Sequence, residues 1–449
     1  MKMNTPSKEN RRQHYTGIAV LMSLAFILTV CSQSILAEAA ATPSGDDGPP
    51  VARVSPAVSG AVVAPAPDSF WTEKYMTSND AARGELAEHG VKIDAFYIID
   101  ALGDIQRPVG ARDEFNGWGR IRTTVDLDFA KFSRARGLTF HATGLWQYGQ
   151  NMGTIIGSIA NPSGLVSIHT FRLDSMYLQQ DLYKGKAFLK VGQFAAEDDF
   201  GIQEYGGNFL IEPLDYAFGN LGNVRASWDP ASGPAVQLKF VPNQHFYLKT
   251  GLYSGRNYSS TGFNYRKVDS STWDSEVGVE TFTGLASNGK RYNGIVKVGT
   301  VYNGGKFFNY QTATTVNNNY TVYVQAAQPV YRVEAGSNRG LDITAGVNAG
   351  PSAKSEVPTE FTMGVTFNAP IASRSRDAFS VGLVYSKIGS DFNAAAVTKL
   401  SDEKALEVNY KTQVTRWMVL QPVFQYYANV GGRASGSAAV AGFRLQTTF

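Results

Sequence analysis

In the segment "RIRTTVDLDFA", alternate residues differ in kind. Arg120 and Arg122 fall on one side with Thr124, Asp126 and Asp128, while Ile121, Val125, Leu127 and Phe129 fall on the other. Two residues on the same face of a strand stand about 7 Å apart, so Arg120 and Arg122 present two guanidinium forks in a row. Such forks donate pairs of hydrogen bonds to hydroxyl oxygens, and carboxylates accept what hydroxyls donate. Acids gather downstream in the connection 196–234, at Glu197, Asp198, Asp199, Glu204, Glu212 and Asp215. Facing rows of both signs suit a neutral polyol, which needs donors and acceptors but no net field. The same arginines would serve equally well as wall residues paired with Asp126, Asp128 or loop acids. Lys190, Lys239, Lys249 and Lys297 read as solvated residues on the wet faces of other strands, and His141 likewise. Trp146 and Trp228 could stack on sugar faces, but girdle or core packing is the simpler reading of both.

Covalent and metal chemistry have little to work with. The five histidines (14, 89, 141, 169 and 245) lack metal-ligand spacing, and the single cysteine, Cys31, permits no disulfide framework. There is no Gly-x-Ser-x-Gly and no His-Glu-x-x-His, so no catalytic residue, metal or cofactor is expected. A net charge of +3 gives no reason to expect nucleic acid as a partner.

The elements that must position these groups are strands. "EFTMGVTFN" alternates Phe361, Met363, Val365 and Phe367 with polar or small residues, and "ALEVNYKT" alternates Leu406, Val408 and Tyr410 with Glu407, Asn409 and Lys411. About sixteen such segments can be marked between Val91 and Phe449. From Val91 onward no apolar run is long enough for a membrane helix, so any crossing is by strands. The joints "YKGK", "VPNQ", "SNGK" and "QVTR" are tight, whereas 151–169, 196–234, 254–275 and 388–403 are long. Short turns at one rim and long loops at the other predict an all-β fold, a transmembrane antiparallel up-and-down β-barrel in the outer membrane of a Gram-negative bacterium. Closing it pairs the last strand with the first. "VAGFRLQTTF" is then the seam, with Phe449 at the periplasmic rim. The expected partners follow: outer-membrane lipid around the wall, and assembly machinery acting through the strand that ends at Phe449.

The N-terminal part reads in three pieces. Lys2, Lys8, Arg11 and Arg12 precede the uncharged run "GIAVLMSLAFILTV", which with "AEA" predicts a signal peptide over 1–39. Val30 before Cys31 disfavours a lipoprotein signal. Residues 40–69 form a Pro/Ala-rich linker, and 70–90 hold a short capped helix leading into the barrel at 91–449.

The C-terminal stretch "EKALEVNYKTQVTRWMVLQPVFQYYANVGG", with "GFRLQTTF" after it, resembles the carbohydrate-selective porins of the OprB family. The matching residues are Glu407, Tyr410, Trp417, Leu420, Gln421, Pro422, Gln425, Tyr426, Asn429, Gly431 and Gly432. "RGELAEHGVKIDAFYIIDALGD" and "FLKVGQFAAEDDF" resemble the family's first helix and strand and its Val-Gly-Gln segment, while "TSND" stands where the family has Trp-Gly-Gly. The resemblance implies a sixteen-stranded barrel passing small neutral sugars, with selection at its narrowest section. By analogy with general porins, the loop 196–234 would constrict the lumen, placing Glu197, Asp198 and Asp199 opposite Arg120, Arg122, Asp126 and Asp128. A general or structural barrel, or an outer-membrane hydrolase, are the rival readings.

Overall fold

A computed structural model describes residues 76, 80–106, 115–215, 222–259, 261–285, 291–333, 337–434 and 436–449. The segments read as a signal peptide (1–39) and a linker (40–69) lie outside the described residues.

Sixteen antiparallel strands close into one barrel. They are β1 (Val91–Gln106), β2 (Phe115–Asp128), β3 (Leu138–Gly149), β4 (Thr170–Asp181), β5 (Ala187–Phe194), β6 (Gly233–Asn243), β7 (Phe246–Ser254) and β8 (Ser271–Leu285). Then follow β9 (Arg291–Asn309), β10 (Thr314–Arg332), β11 (Gly340–Ala349), β12 (Thr359–Asn368), β13 (Ala378–Lys387), β14 (Glu403–Gln413), β15 (Met418–Ala428) and β16 (Ser437–Thr448). Each strand pairs with its neighbours in the chain, and β1 pairs with β16. Helix α1 (Asp80–Glu88) precedes β1, and α2 (Met152–Ile156), α3 (Glu212–Asp215) and α4 (Ser390–Ala395) sit in long loops. Among the described residues no helix is long and apolar enough to cross a membrane.

The period of two does the sorting. On β13, Phe379 and Leu383 point outward and are exposed, while Ser380, Val384 and Ser386 point inward and are buried. Asp100, Arg120, Gln147, Glu276, Gln325, Glu407 and Gln421 are likewise buried inward. A soluble fold buries the opposite set. An apolar exterior around a polar interior is what lipid outside and water inside select. At the seam Asp100 lies opposite Arg444, whose Nε and Nη2 donate to the two carboxylate oxygens at 2.6 and 2.7 Å. Phe449 N donates to Ala95 O at 2.8 Å, and Arg83 of α1 donates to Phe449 O at 2.6 Å.

The tight turns fall at one rim. Between β4 and β5, Gly185 has φ of +82° and its N–H donates to Asp181, a left-handed position that suits glycine. Segment 303–319 is mostly strand, because β9 and β10 run on as a hairpin to Asn309 and Thr314. Its Gly-Gly and Asn-Asn-Asn runs carry little intrinsic strand preference, and pairing with the neighbour overrides that.

Candidate pore constriction

A loop inside a barrel has to find partners for its backbone, since buried N–H and C=O groups are costly when unpaired. The connection 195–232 between β5 and β6 finds them on the inner wall. Glu276 of β8 accepts from Gly201 N at 3.2 Å, and Gln325 of β10 donates to Gly201 O at 2.6 Å. Thr344 of β11 donates to Gln203 Oε1 at 2.8 Å. Asn409 and Gln421, on β14 and β15, donate to Asn208 O at 2.8 and 2.9 Å. Glu407 of β14 accepts from Leu210 N and Ile211 N at 2.9 and 2.8 Å. Between Gly201 and Ile211 the loop therefore follows the wall from β8 round to β15.

There it also packs. Phe209, Leu210, Ile211 and Leu214 join Met152 and Ile156 of the loop 150–169 against Val384, Tyr427, Val430 and Val440. Gly382 makes the room. A Cβ there would stand 2.5 Å from Leu214 Cδ1 and 2.8 Å from the Phe209 ring. The loop 150–169 has its own acceptor in Glu403, which takes Ile159 N and Ala160 N at 2.9 and 2.7 Å.

The two ends of the loop 195–232 are held by charge. Arg120 Nη1 and Arg122 Nη1 both reach Asp229 Oδ2, at 2.9 and 3.3 Å. Arg120 also donates to Gln147 Oε1 at 2.7 Å and to Leu165 O at 3.3 Å. Its side chain is 9% exposed and that of Arg122 is 22% exposed, so Arg122 is the more open to the lumen. Asp229 N donates to Glu197 Oε1 at 2.6 Å, tying the end of the loop to its start. Lys190 meets Asp199 at 2.9 Å, and Lys249 meets Glu276 at 2.8 Å and also Asp199 O. Lys297 reaches Glu204 and Ile202 O.

The electrostatics separate these acids. Burial pushes the Asp229 carboxyl up, but Arg120 and Arg122 outweigh it and hold the group below the usual carboxylate range. Asp199 is likewise held low, with Lys190 and Lys249 overcoming its burial. Glu197 goes the other way: burial, then the charges of Asp229 and Asp198, push it well up. Asp198 is raised by burial against the pull of Arg122.

Of the residues read from the sequence as one site, Arg120 and Arg122 reach Asp229, Glu197 accepts from Asp229 N, and Asp198 feels the charges of Arg122 and Asp229, whereas Asp199 meets Lys190 and Lys249. Asp126 and Asp128 lie elsewhere. Asp126 binds His141 Nδ1 at 2.6 Å, and Asp128 caps a short turn at the tight-turn rim by accepting from Ala130 N at 3.0 Å. Both diverge from the arginines because the strand carries them toward the opposite rim. Of the lysines read as solvated, Lys190, Lys249 and Lys297 instead hold the loop. Trp146 faces outward beside Tyr148, and Trp228 packs with Val224 and Tyr323 under the Arg256 guanidinium at 3.6 Å. The side chain of Asp215 lies outside the described residues. Sequence reading missed Asp229, Gln147, Glu276 and Glu403. Glu403 does carry a signal, since a buried carboxylate on a wet face needs donors and its donors are loop amides, whereas Glu276 takes Lys249 and Tyr247 from the neighbouring strand.

The fold and sequence have clear relatives. The family model for the carbohydrate-selective porin, OprB family, matches residues 116–449. Porin B of Pseudomonas aeruginosa is 24% identical over 438 residues, covering 86% of this chain and 92% of that protein. The high-pH structure of Pseudomonas putida OprB superposes with a TM-score of 0.78 at 19% identity, covering 85% of this chain and 100% of that one. Its low-pH structure gives 0.56 at 17% identity, covering 84% and 99%. A closed barrel of sixteen strands, a loop folded onto its inner wall and a family match over most of the chain agree: this protein belongs to the OprB family of carbohydrate-selective porins, sugar channels of the Gram-negative outer membrane.

Proposed function

We propose that small neutral sugars pass by diffusion between the β2 wall and the ends of the loop 195–232, and that Arg122, Arg120, Asp229, Asp198, Asp199 and Glu197 form the selecting section. One observation carries this reading: two arginines of β2 converge on Asp229, a residue of the inward loop. Opposed charges at that level cancel much of the net field, so an ion gains little there, while a hydroxyl meets donors and acceptors on both sides. Arg122, the more exposed of the pair, is the donor that touches the solute. Arg120, with three partners, holds the geometry.

Around that section, 1–39 serves as a cleaved signal peptide, 40–69 as a periplasmic linker and 70–90 as the lead-in to the barrel at 91–449. The exposed apolar belt meets lipid, and β16, the strand that closes against β1, is what the assembly machinery engages. The dyad pattern and the seam pairing support these assignments.

Liposome swelling tests the reading. Wild-type protein should admit neutral sugars faster than anionic or cationic solutes of matched size. The double variant Arg120→Ala/Arg122→Ala should admit larger neutral sugars and discriminate less among monosaccharides. Rates that follow size alone in the wild type, unchanged in the variant, would indicate a general pore with its selection elsewhere.

A further inference from the structure

Phe171 of β4 points outward and is exposed, and the next residue, Arg172, turns inward and is buried. Leu145 of β3 pairs with Arg122 on one side and with Arg172 on the other. The two arginines therefore stand at one level of the wall, two strands and about 10 Å apart. The Arg122 side chain is partly open, whereas that of Arg172 is wholly buried. Arg172 Nη1 donates to Asn257 O and Ser259 O, both at 3.0 Å, and Nη2 donates to Ser232 O at 3.0 Å. Asp174, two residues on, brings Oδ1 to 3.9 Å from Nε. A planar guanidinium holds several carbonyls in one fixed arrangement, which a flexible ammonium does not.

These carbonyls belong to two loops that meet. Ser232 ends the inward loop 195–232, just after Asp229, while Asn257 and Ser259 lie in the connection from β7 to β8. That connection also turns inward. Asn257 N donates to Ala231 O at 2.9 Å, and Tyr265 Oη donates to Gln193 Oε1 at 3.0 Å. The Arg256 guanidinium covers Trp228 at 3.6 Å, so the contacts at Trp228 and Ala231 flank Asp229. The Asn257 side chain donates to Gly262 O at 2.7 Å. Gly262 has φ of +83°, and a Cβ there would stand 3.1 Å from Arg172 Nε and 2.8 Å from Leu173 O. The turn closes on the guanidinium because that position is a glycine.

Arginines thus act on the Asp229 region from two sides. Arg120 and Arg122 bind the carboxylate, and Arg172 takes the backbone that follows it. A carboxylate held only through its own side chain would follow whichever partner it meets. We infer that Arg172 is the positioning residue of the selecting section: without touching the solute, it clamps Ser232 to the segment 255–259 and so sets the distance between Asp229 and Arg122. The inference rests on the proposed passage of sugars at Asp229. It adds what keeps that level at one width, and it makes the β7–β8 connection part of the selecting section.

The test compares swelling of liposomes carrying full-length protein in glucose and in sucrose, with heat-modified migration in detergent gels as the check on assembly. Arg172→Gln removes the fork and should raise the sucrose-to-glucose rate ratio roughly fivefold, the loss expected for one hydrogen bond's worth of discrimination. Arg172→Lys keeps the charge without the fork and should fall between that variant and wild type. Gly262→Ala leaves Arg172 and Asp174 in place but pushes the turn off the guanidinium. It should raise the same ratio, and it carries the test if Arg172→Gln does not assemble. An arginine that only supports the fold would lower the temperature at which the folded band converts and leave the ratio unchanged. That result in assembled variants overturns the inference while the sugar pore stands. An equal rise for both sugars also overturns it, since the whole loop would then have left the lumen. Wild-type rates that follow size alone, with charged solutes passing as fast as glucose of matched size, would remove the selecting section itself, and the role of Arg172 with it.

Discussion

The inward loop is held in two unlike ways. Toward β2 and β5, side-chain charges meet side-chain charges: Arg120 and Arg122 with Asp229, and Lys190 with Asp199. Toward β14 and β15, side chains take up the loop's backbone, and Phe209, Leu210 and Leu214 pack against the wall. The packed side is an anchor, because buried amide groups and apolar contacts allow few other arrangements. In the function proposed above the charged side is the filter, with Arg122, partly open to solvent, exchanging partners with the solute. On that reading, rigidity on one side is what would let the geometry on the other be selective.

Breaking the anchor should have the largest effect. Glu407→Ala leaves Leu210 N and Ile211 N without an acceptor, at about 1–3 kcal/mol for each buried donor. The loop should leave the wall, and single-channel conductance should rise several-fold and become noisy. Glu407→Gln retains an acceptor oxygen and should be milder. Equal conductance in Glu407→Ala and wild type would mean that packing alone holds the loop.

Arg120→Ala comes next. It strips a buried acid of its nearest partner, and breaking such a pair costs about 3–5 kcal/mol. The temperature at which the folded band converts to the unfolded one in detergent gels should drop clearly, and more than for Arg122→Ala. If Arg122→Ala is the less stable variant, the roles given to the two arginines are reversed.

Gly382→Ala sharpens the comparison from the packed side. A Cβ pressing on Leu214 and Phe209 costs about 1–3 kcal/mol if they must shift. Sugar swelling rates should increase modestly with little change in ion preference, because no charge has moved. A shift in ion preference equal to that of Arg122→Ala would show that the two sides are not separable.

Smallest is the effect of pH. Glu197 and Asp198 have raised pKa values, so as pH falls they are neutralised before an ordinary carboxyl would be. Asp199 and Asp229 are held low and keep their charge until the pH falls further. Removing negative charge favours anions, so reversal potentials should drift toward anion preference in two stages, both damped at high salt. A single step at the usual carboxylate range would contradict the separation.

Much of this architecture was readable along the chain. Strand alternation is local: whether Phe361 or Leu406 faces lipid depends on parity, and parity is printed in the sequence. The tight turns and long loops gave the direction of the strands, and Glu407, Gln421 and Gln425 stood inside a stretch that resembles the family. The acids at 197–199 were found because they are adjacent in sequence, and Arg120 and Arg122 because they share a face. What lay beyond reach was every pairing that depends on the course of the loop. Arg120 meets Asp229 across 109 positions, and Glu407 meets Leu210 across 197. Nothing in a single acid before a proline distinguishes Asp229 from the acids around it until the loop has folded inward. Sequence alone determined which face of each strand is wet, because that follows from a period of two. Only the closed barrel decided which wet residues meet, because the partner of a lumen side chain is chosen by the path of a distant backbone.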